Sequence, residues 1–401
     1  MSDGSNLCTL IKHADVFTPE PVGKKDVFIA SGKIIAIQDS IDLGSALDPE
    51  IIDAQGKLLV PGFIDSHVHI LGGGGEGSYK TRTPEIMLSD ITRGGVTTVI
   101  GCLGTDGTTR TMTNLIAKAR GLEEEGITCF IYTGSYQVPV RTLTGSIQDD
   151  IVLIDKIIGV GEIALSDHRS SQPTVEDIAK VAAAARVGGI LSGKAGIVNI
   201  HMGDGTRKLS FLEEIAENTE IPISQFVPTH VSRNPDLWAS AIDYAKRGGF
   251  IDITTSITRD FPDNKGISPG AILKDAMDHG VPVENMTFSS DGQGSLPVFN
   301  EKGEFIRLGV GKVTSLFDGV RDAILRQNVP MEIALKVITT NPARILKLRQ
   351  KGTIAVGKDA DLVLLNENLD VDTVFATGRP MVRDGEVLVH GTFEDERHKS
   401  S

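Results

Sequence analysis

Residues 58–70 read LLVPGFIDSHVHI. The run is apolar and rich in β-formers until it finishes on Asp65, His67 and His69. Side chains two apart on a strand share a face, so both imidazoles leave this strand's end in the same direction. Comparable runs follow at 96–104 (VTTVIGCLG), 127–135 (ITCFIYTGS), 156–165 (KIIGVGEIAL), 196–204 (GIVNIHMGD), 223–231 (ISQFVPTHV), 250–257 (FIDITTSI) and 286–292 (MTFSSDG). Helical patterns lie between most of them, such as VEDIAKVAAAARVGGI (175–190), FLEEIAENT (211–219) and DLWASAIDYAKRGG (236–249), several closed by glycine pairs. Strands alternating with helices at this regularity predict an α/β fold, a (β/α)₈ TIM barrel over residues 60–347. Helices at 312–327 and 330–347 close it. A doubly wound open sheet is the competing arrangement, but no Gly-x-Gly-x-x-Gly turn follows the first strand. The Gly72–Gly75 run follows a His-x-His and has no helix directly behind it, unlike a phosphate loop.

The chain ends have another texture. Residues 7–59 hold short β-rich runs (LCTLIKHADVF, DVFIASGKIIAIQ, EIIDAQGKLLV), and the same pattern returns at TIAVGKDADLVLLN, DTVFATGRPMV and GEVLVHGTFE. Residues 1–59 and 348–401 are therefore expected to join in one small β-sandwich module, with the barrel inserted between them.

Composition narrows the function. The chain has 401 residues, 40% hydrophobic and 5% aromatic, with 44 glycines and a formal charge of −13. An acidic chain without a basic run offers no footprint for nucleic acid or an anionic membrane. Cys8, Cys102 and Cys129 are too far apart to suggest a disulfide framework or a closely spaced structural zinc site. The N-terminal MSDGSNLCTLIKHADVF lacks a basic start and apolar core, and no run of about 18 apolar residues occurs. A cytoplasmic protein is the expectation.

Barrel sites form where strands end. Besides His67 and His69, the strand ends carry Glu162, His201, His230 and Asp291. The chain has only nine histidines, and the convergence of four on strand ends beside two carboxylates forms a nitrogen/oxygen donor set suited to zinc or a similar divalent ion.

PGFIDSHVH, a single histidine ending the fifth and sixth strands, and SSDG at the eighth together resemble the amidohydrolase superfamily across the whole chain. In its dinuclear members the His-x-His pair and the strand-eight aspartate hold one metal, the two later histidines hold the other, and an anionic side chain bridges them. That bridge is often a carboxylated lysine. This chain departs there: the fourth strand reads GVGEIALSD, and Lys156 lies about 20 Å back along it. Glu162 is then the expected bridge. The resemblance implies two divalent ions, zinc favoured, sharing a water that becomes hydroxide at neutral pH. Asp291 would act as ligand and general base, returning the proton to the leaving amine.

Further motifs narrow the resemblance to the isoaspartyl dipeptidases. In LGGGGEGSYKTRTPE (71–85), Glu76 with the backbone at Gly74 and Gly75, and Thr105 of the GTD loop, match the group that binds the substrate's amino end. Tyr136 in TGSYQVP matches an oxyanion donor. Arg169 in SDHRS, Arg233 in THVSRN and Ser295 in SSDGQGS match the clamp on the α-carboxylate, a task suited to arginine's bidentate fork. His168 beside Arg169 is either a supporting or a structural residue. The implied activity is hydrolysis of the β-aspartyl bond in a small dipeptide, by a homo-oligomer, an octamer by resemblance. A cyclic-amide hydrolase of dihydroorotase or hydantoinase type, an N-acyl-amino-acid hydrolase and a non-catalytic assembly protein of the same fold remain alternatives.

Overall fold

The computed structural model describes residues 8–45, 47–256, 267–299 and 305–394. The outermost residues of the expected end module (1–7 and 395–401), and Ile257 of the run at 250–257, lie outside them. In chain order the strands are β1 (Cys8–Phe17), β2 (Pro21–Ala30), β3 (Lys33–Gln38), β4 (Glu50–Asp53), β5 (Leu58–Pro61), β6 (Phe63–Val68), β7 (Val96–Gly101), β8 (Thr128–Thr133), β9 (Ile157–Leu165), β10 (Ile197–Met202), β11 (Phe226–Thr229), β12 (Ile251–Thr254), β13 (Met286–Ser289), β14 (Ser295–Phe299), β15 (Phe305–Val310), β16 (Leu362–Leu365), β17 (Val371–Ala376), β18 (Arg379–Arg383) and β19 (Glu386–Val387). The main helices are α1 (Leu88–Thr92), α2 (Met112–Glu125), α3 (Ile147–Leu153), α4 (Val175–Ser192), α5 (Ser210–Asn218), α6 (Pro235–Lys246), α7 (Pro269–Asp278), α8 (Ser315–Gln327), α9 (Met331–Lys336) and α10 (Thr340–Ile345).

The middle of the chain is an α/β fold with a curled parallel sheet. β6 to β11 pair in sequence order as six parallel strands, and β12 pairs with β13 in parallel. A parallel bridge from Val68 to Gly292 links the end of β6 to the residues just past β13, bringing the first and last strands side by side. All of them but β8 are buried along their length, as expected when helices cover a parallel sheet. The helix starts carry their own signals. Thr174 and Asp177 form a reciprocal capping box on α4, while Asn234–Pro235 opens α6 and Ser268–Pro269 opens α7.

Three details differ from the sequence expectation. The glycine pair Gly188–Gly189 does not end α4, which continues to Ser192 and stops at left-handed Gly193. A Cβ on Gly188 would lie 3.1 Å from Ile151 Cβ, and one on Gly189 would lie 2.7 Å from Gly196 Cα. The pair therefore serves close packing of α4, which periodicity does not report. The single helix expected over 330–347 is two, α9 and α10; Pro342 has no N–H to continue a helix from Met331 and is tolerated only in a first turn. Finally, the hairpin β14–β15 follows the last parallel strand directly.

The two chain ends do meet. β19-β18-β17-β16-β5-β1-β2-β3, with β4 on β1, form one nine-stranded sheet. Its own apolar cluster includes Ile11, Val27, Leu59, Leu362 and Phe375. Lys351 ties this sheet to the parallel one: its ammonium reaches Asp361 Oδ2 at 2.5 Å, Asp359 Oδ2 at 2.9 Å and Thr128 Oγ1 at 2.6 Å. Among the described residues, no helix is long and apolar enough to cross a membrane.

Candidate metal centre

Every residue expected at the centre is brought to one place. His67 on β6 and His69 just beyond it have ring centroids 5.3 Å apart, His67 and His230 5.5 Å, and His201 and His230 4.7 Å. Glu162 on β9 lies among all four: Oε1 is 3.4 Å from His69 Nε2, while Oε2 is 3.4 Å from His67 Nε2, 3.1 Å from His201 Nδ1 and 3.9 Å from His230 Nε2. Asp291 Oδ1 is 3.1 Å from His69 Nε2 and 3.7 Å from His67 Nε2. Lys156 is turned away at the opposite end of β9, where Glu123 and the Phe130 ring hold its ammonium.

Backbone shape sets this convergence. A Cβ on Gly161 would lie 2.8 Å from Asn199 Cβ, so only glycine lets β9 approach β10 and carry Glu162 to His201. His230 (φ 62°) and Asp291 (φ 53°) occupy the left-handed region that L-residues avoid. Such positions cost on the order of 1–3 kcal/mol each and concentrate at functional sites.

The donor set fits a metal. Among the described residues, His67 Nε2, Glu162 Oε1 and Asp291 Oδ1 are buried with no hydrogen-bond partner, an arrangement that is costly unless something else satisfies them. Glu162, His201 and His230 form one group of close ligand atoms, and His67, His230 and Asp291 another. The protonation states of His230 and Glu162 agree with this. Burial pushes the His230 imidazole down to about 3, keeping it neutral. Burial also works against ionisation of Glu162, but His67, His201 and His230 outweigh it and hold the carboxyl well below the usual range.

Three supporting residues escaped the sequence reading. Asn199 Oδ1 meets His67 Nδ1 at 3.1 Å, Thr254 Oγ1 meets His230 Nδ1 at 2.6 Å, and Asp167 Oδ2 meets His201 Nε2 at 3.1 Å. Each contact occupies one ring nitrogen and turns the other inward, fixing tautomer and orientation. A signal existed for two of them. Asn199 sits two residues before His201 on the same strand face, and Thr254 ends β12 as the candidate ligands end their strands.

A cavity of about 420 Å³ opens on the centre and is lined by Gly74, Glu76, Thr105, Tyr136, Arg169, Arg233 and Ser295. Thr105 Oγ1 donates to Glu76 Oε1 at 2.8 Å, and Arg169 Nη1 lies 3.4 Å from the same oxygen. Asp167 grips Arg169 through Nε at 3.0 Å and Nη2 at 2.7 Å. Burial would raise the Asp167 carboxyl, but the bonds from His201 and Arg169 prevail and hold it far below its ordinary value. Among the described residues Arg233 has no ion-pair partner. Tyr136 packs on His201 with its hydroxyl 2.8 Å from Nδ1. Burial pushes its phenol well above 10, so it remains a neutral O–H donor. Gly74 lies against Ser295, whose Cβ would be 2.8 Å from an added Cβ. Gly75 adjoins Arg82 and lines a neighbouring hollow rather than the cavity itself. His168 projects into solvent with a side chain 91% exposed, at the cavity mouth.

Residues 58–381 match the model of the amidohydrolase family. The crystal structure of a β-aspartyl dipeptidase from Fervidobacterium islandicum AW-1 in complex with β-Asp-Leu dipeptide is 50% identical, covering 95% of this chain and 98% of that one at a TM-score of 0.86. A dihydropyrimidinase from Brevibacillus agri shares the fold at 18% identity and a TM-score of 0.66, covering 96% and 97%. A dihydroorotase from Listeria monocytogenes is 33% identical over 147 residues, which is 36% of this chain and 31% of that protein.

Proposed function

The chain belongs to the amidohydrolase family, and from that premise we propose that it hydrolyses the β-aspartyl bond of dipeptides carrying a free amino-terminal isoaspartate. The reading takes the curled sheet over 60–347 as a closed (β/α)₈ barrel and residues 1–59 with 348–401 as its β-sandwich companion. Support for closure comes from the Val68–Gly292 bridge.

One observation carries the substrate: Glu76 and Arg169 face the same cavity 3.4 Å apart, with Arg233, which has no ion-pair partner among the described residues, on its wall. An isoaspartyl residue bears its ammonium and α-carboxylate on one carbon. Inserted there, it exchanges the Glu76–Arg169 contact for two of its own, ammonium to Glu76 and carboxylate to the arginines, so neither protein charge is left unpaired. The scissile amide is then on the side chain, pointing at the histidines. The Fervidobacterium relative, crystallised with β-Asp-Leu, supports the same reading. A cyclic amide or an N-acyl amino acid has no ammonium for Glu76.

His67, His69 and Asp291 would hold one divalent ion and His201 and His230 a second, with Glu162 between them and zinc the favoured metal. Such ions lower the pKa of a bound water and polarise a carbonyl. The remaining tasks fall to side chains. Thr105 and Gly74 fix Glu76 and the loop that receives the ammonium, Gly75 lets that loop turn, and Ser295 adds a hydroxyl beside Gly74. Asp167 holds Arg169 in register. Tyr136 donates to the oxygen on which charge develops. Burial opposes ionisation of Asp291, yet His69 and the neighbouring imidazoles keep the carboxyl ionised, ready to take the attacking water's proton and pass it to the leaving amine.

The test is a purified, metal-quantified protein assayed on β-Asp-Leu, α-Asp-Leu, dihydroorotate and an N-acetyl amino acid, with and without bicarbonate and zinc. Turnover confined to β-Asp-Leu and indifferent to bicarbonate is expected. Turnover of only the cyclic or acylated substrate would sink the head-group argument and keep the metal chemistry.

A further inference from the structure

Cys102, on the loop leaving β7, is fully buried. Its Sγ belongs to a compact group with ligand atoms of His67, His69 and Glu162, all within 4.8 Å of one another. It lies 3.7 Å from His69 Nδ1 and 3.7 Å from the carbonyl of Val68. Two other members of the group, His67 Nε2 and Glu162 Oε1, are buried without a hydrogen-bond partner. The Cys102 loop is held over them closely: a Cβ on Gly104 would come within 3.0 Å of His69 Cε1 and 3.5 Å of Glu162 Oε1.

We propose that Cys102 is a thiolate ligand of the metal centre, adding sulfur to the donors of His67, His69 and Glu162; this rests on the two-ion reading above. Charge argues for it. Glu162 and Asp291 neutralise only half of what two divalent ions bring, and a third anionic donor offsets more of the remainder. Geometry argues for it too, because Glu162 is a shorter side chain than a carboxylated lysine, and the Cys102 sulfur lies within 4.8 Å of ligand atoms of His67, His69 and Glu162. As the metal–sulfur bond forms, the thiol proton leaves to solvent. Thiolate ligation favours zinc over magnesium or manganese, so Cys102 biases which ion is retained. The other cysteines are internal controls. Burial pushes Cys129 up to about 12, and Cys8 lies on β1 in the nine-stranded sheet.

The experiment is X-ray absorption at the zinc edge on the zinc-loaded full-length protein, with metal content measured alongside. Wild-type protein is expected to show a sulfur neighbour at about 2.3 Å, and Cys102→Ser to lose it. Cobalt-loaded wild type should show thiolate-to-cobalt charge-transfer absorption in the near ultraviolet, absent from Cys102→Ser. A metal-replete wild type with only nitrogen and oxygen neighbours, at about 2.0–2.2 Å, overturns the proposal and leaves the metal centre standing. Sulfur persisting in Cys102→Ser overturns it as well. A protein that holds no zinc sinks both readings. Because the wild-type spectrum alone can decide against the proposal, misfolding of the variant does not shelter it.

Discussion

Glu162 shows how one side chain can carry several demands. It is buried among four imidazoles, anionic, and has one oxygen without a partner. Glu162→Gln keeps the size and removes the charge, so the expected outcome is loss of bound metal by elemental analysis together with loss of turnover. Retained stoichiometric metal would contradict a bridging role. Glu76→Gln isolates recognition instead. A charge-assisted hydrogen bond is worth about 1.5–3 kcal/mol, so kcat/KM on β-Asp-Leu should fall on the order of 10- to 100-fold, with metal content unchanged. An unchanged kcat/KM, or a loss that tracks loss of bound metal, would remove Glu76 from the ammonium site.

At the scale of elements, the site depends on how closely two strands approach. β9 carries Glu162 and β10 carries His201, and Gly161 lets them meet, since a Cβ there would sit 2.8 Å from Asn199 Cβ. Gly161→Ala must push the strands apart. Overpacking of this kind costs about 1–3 kcal/mol, so the denaturation midpoint should fall and zinc affinity should weaken with it. Unchanged affinity in a folded variant would show that the strand spacing does not set the ligand geometry. The same element logic explains α4. Its glycine pair looks like a stop signal in sequence, yet it lets α4 pack against α3 and the turn into β10.

Across the whole molecule, the nine-stranded sheet and the parallel sheet are joined through Lys351, nearly buried between Asp359, Asp361 and Thr128. Removing one member of a buried charged group leaves the others unpaired and costs about 3–5 kcal/mol. Lys351→Ala should therefore lower the unfolding free energy by about that amount. Burial alone would lower the lysine's pKa, but Asp361 and Asp359 outweigh it and raise the ammonium above its ordinary range. The sign follows: the stabilisation is complete below the unfolded-state value of about 10.4 and disappears as pH rises through the folded-state value. The stability gap between wild type and Lys351→Ala should thus be constant near neutrality and shrink in strong alkali. A gap independent of pH there would contradict the ion-pair account.

The sequence by itself determined the alternation of strands and helices, the union of the two chain ends, and the polar residues that converge at the strand ends. Strand periodicity is local, and polar residues at strand ends stand out against apolar runs, so His67, His69, Glu162, His201, His230 and Asp291 were legible without coordinates. Tertiary structure alone decided what surrounds them. Asp167 reaches His201 only because their strands lie side by side, and Cys102 reaches Glu162 only because the sheet curls. The partner of Lys156 and the continuation of α4 through its glycines depend likewise on neighbours distant in sequence or on a shape that no local pattern records. The converging residues follow from residue type and strand position, whereas second partners, close approaches and left-handed backbone at His230 and Asp291 follow from how strands far apart in the chain pack.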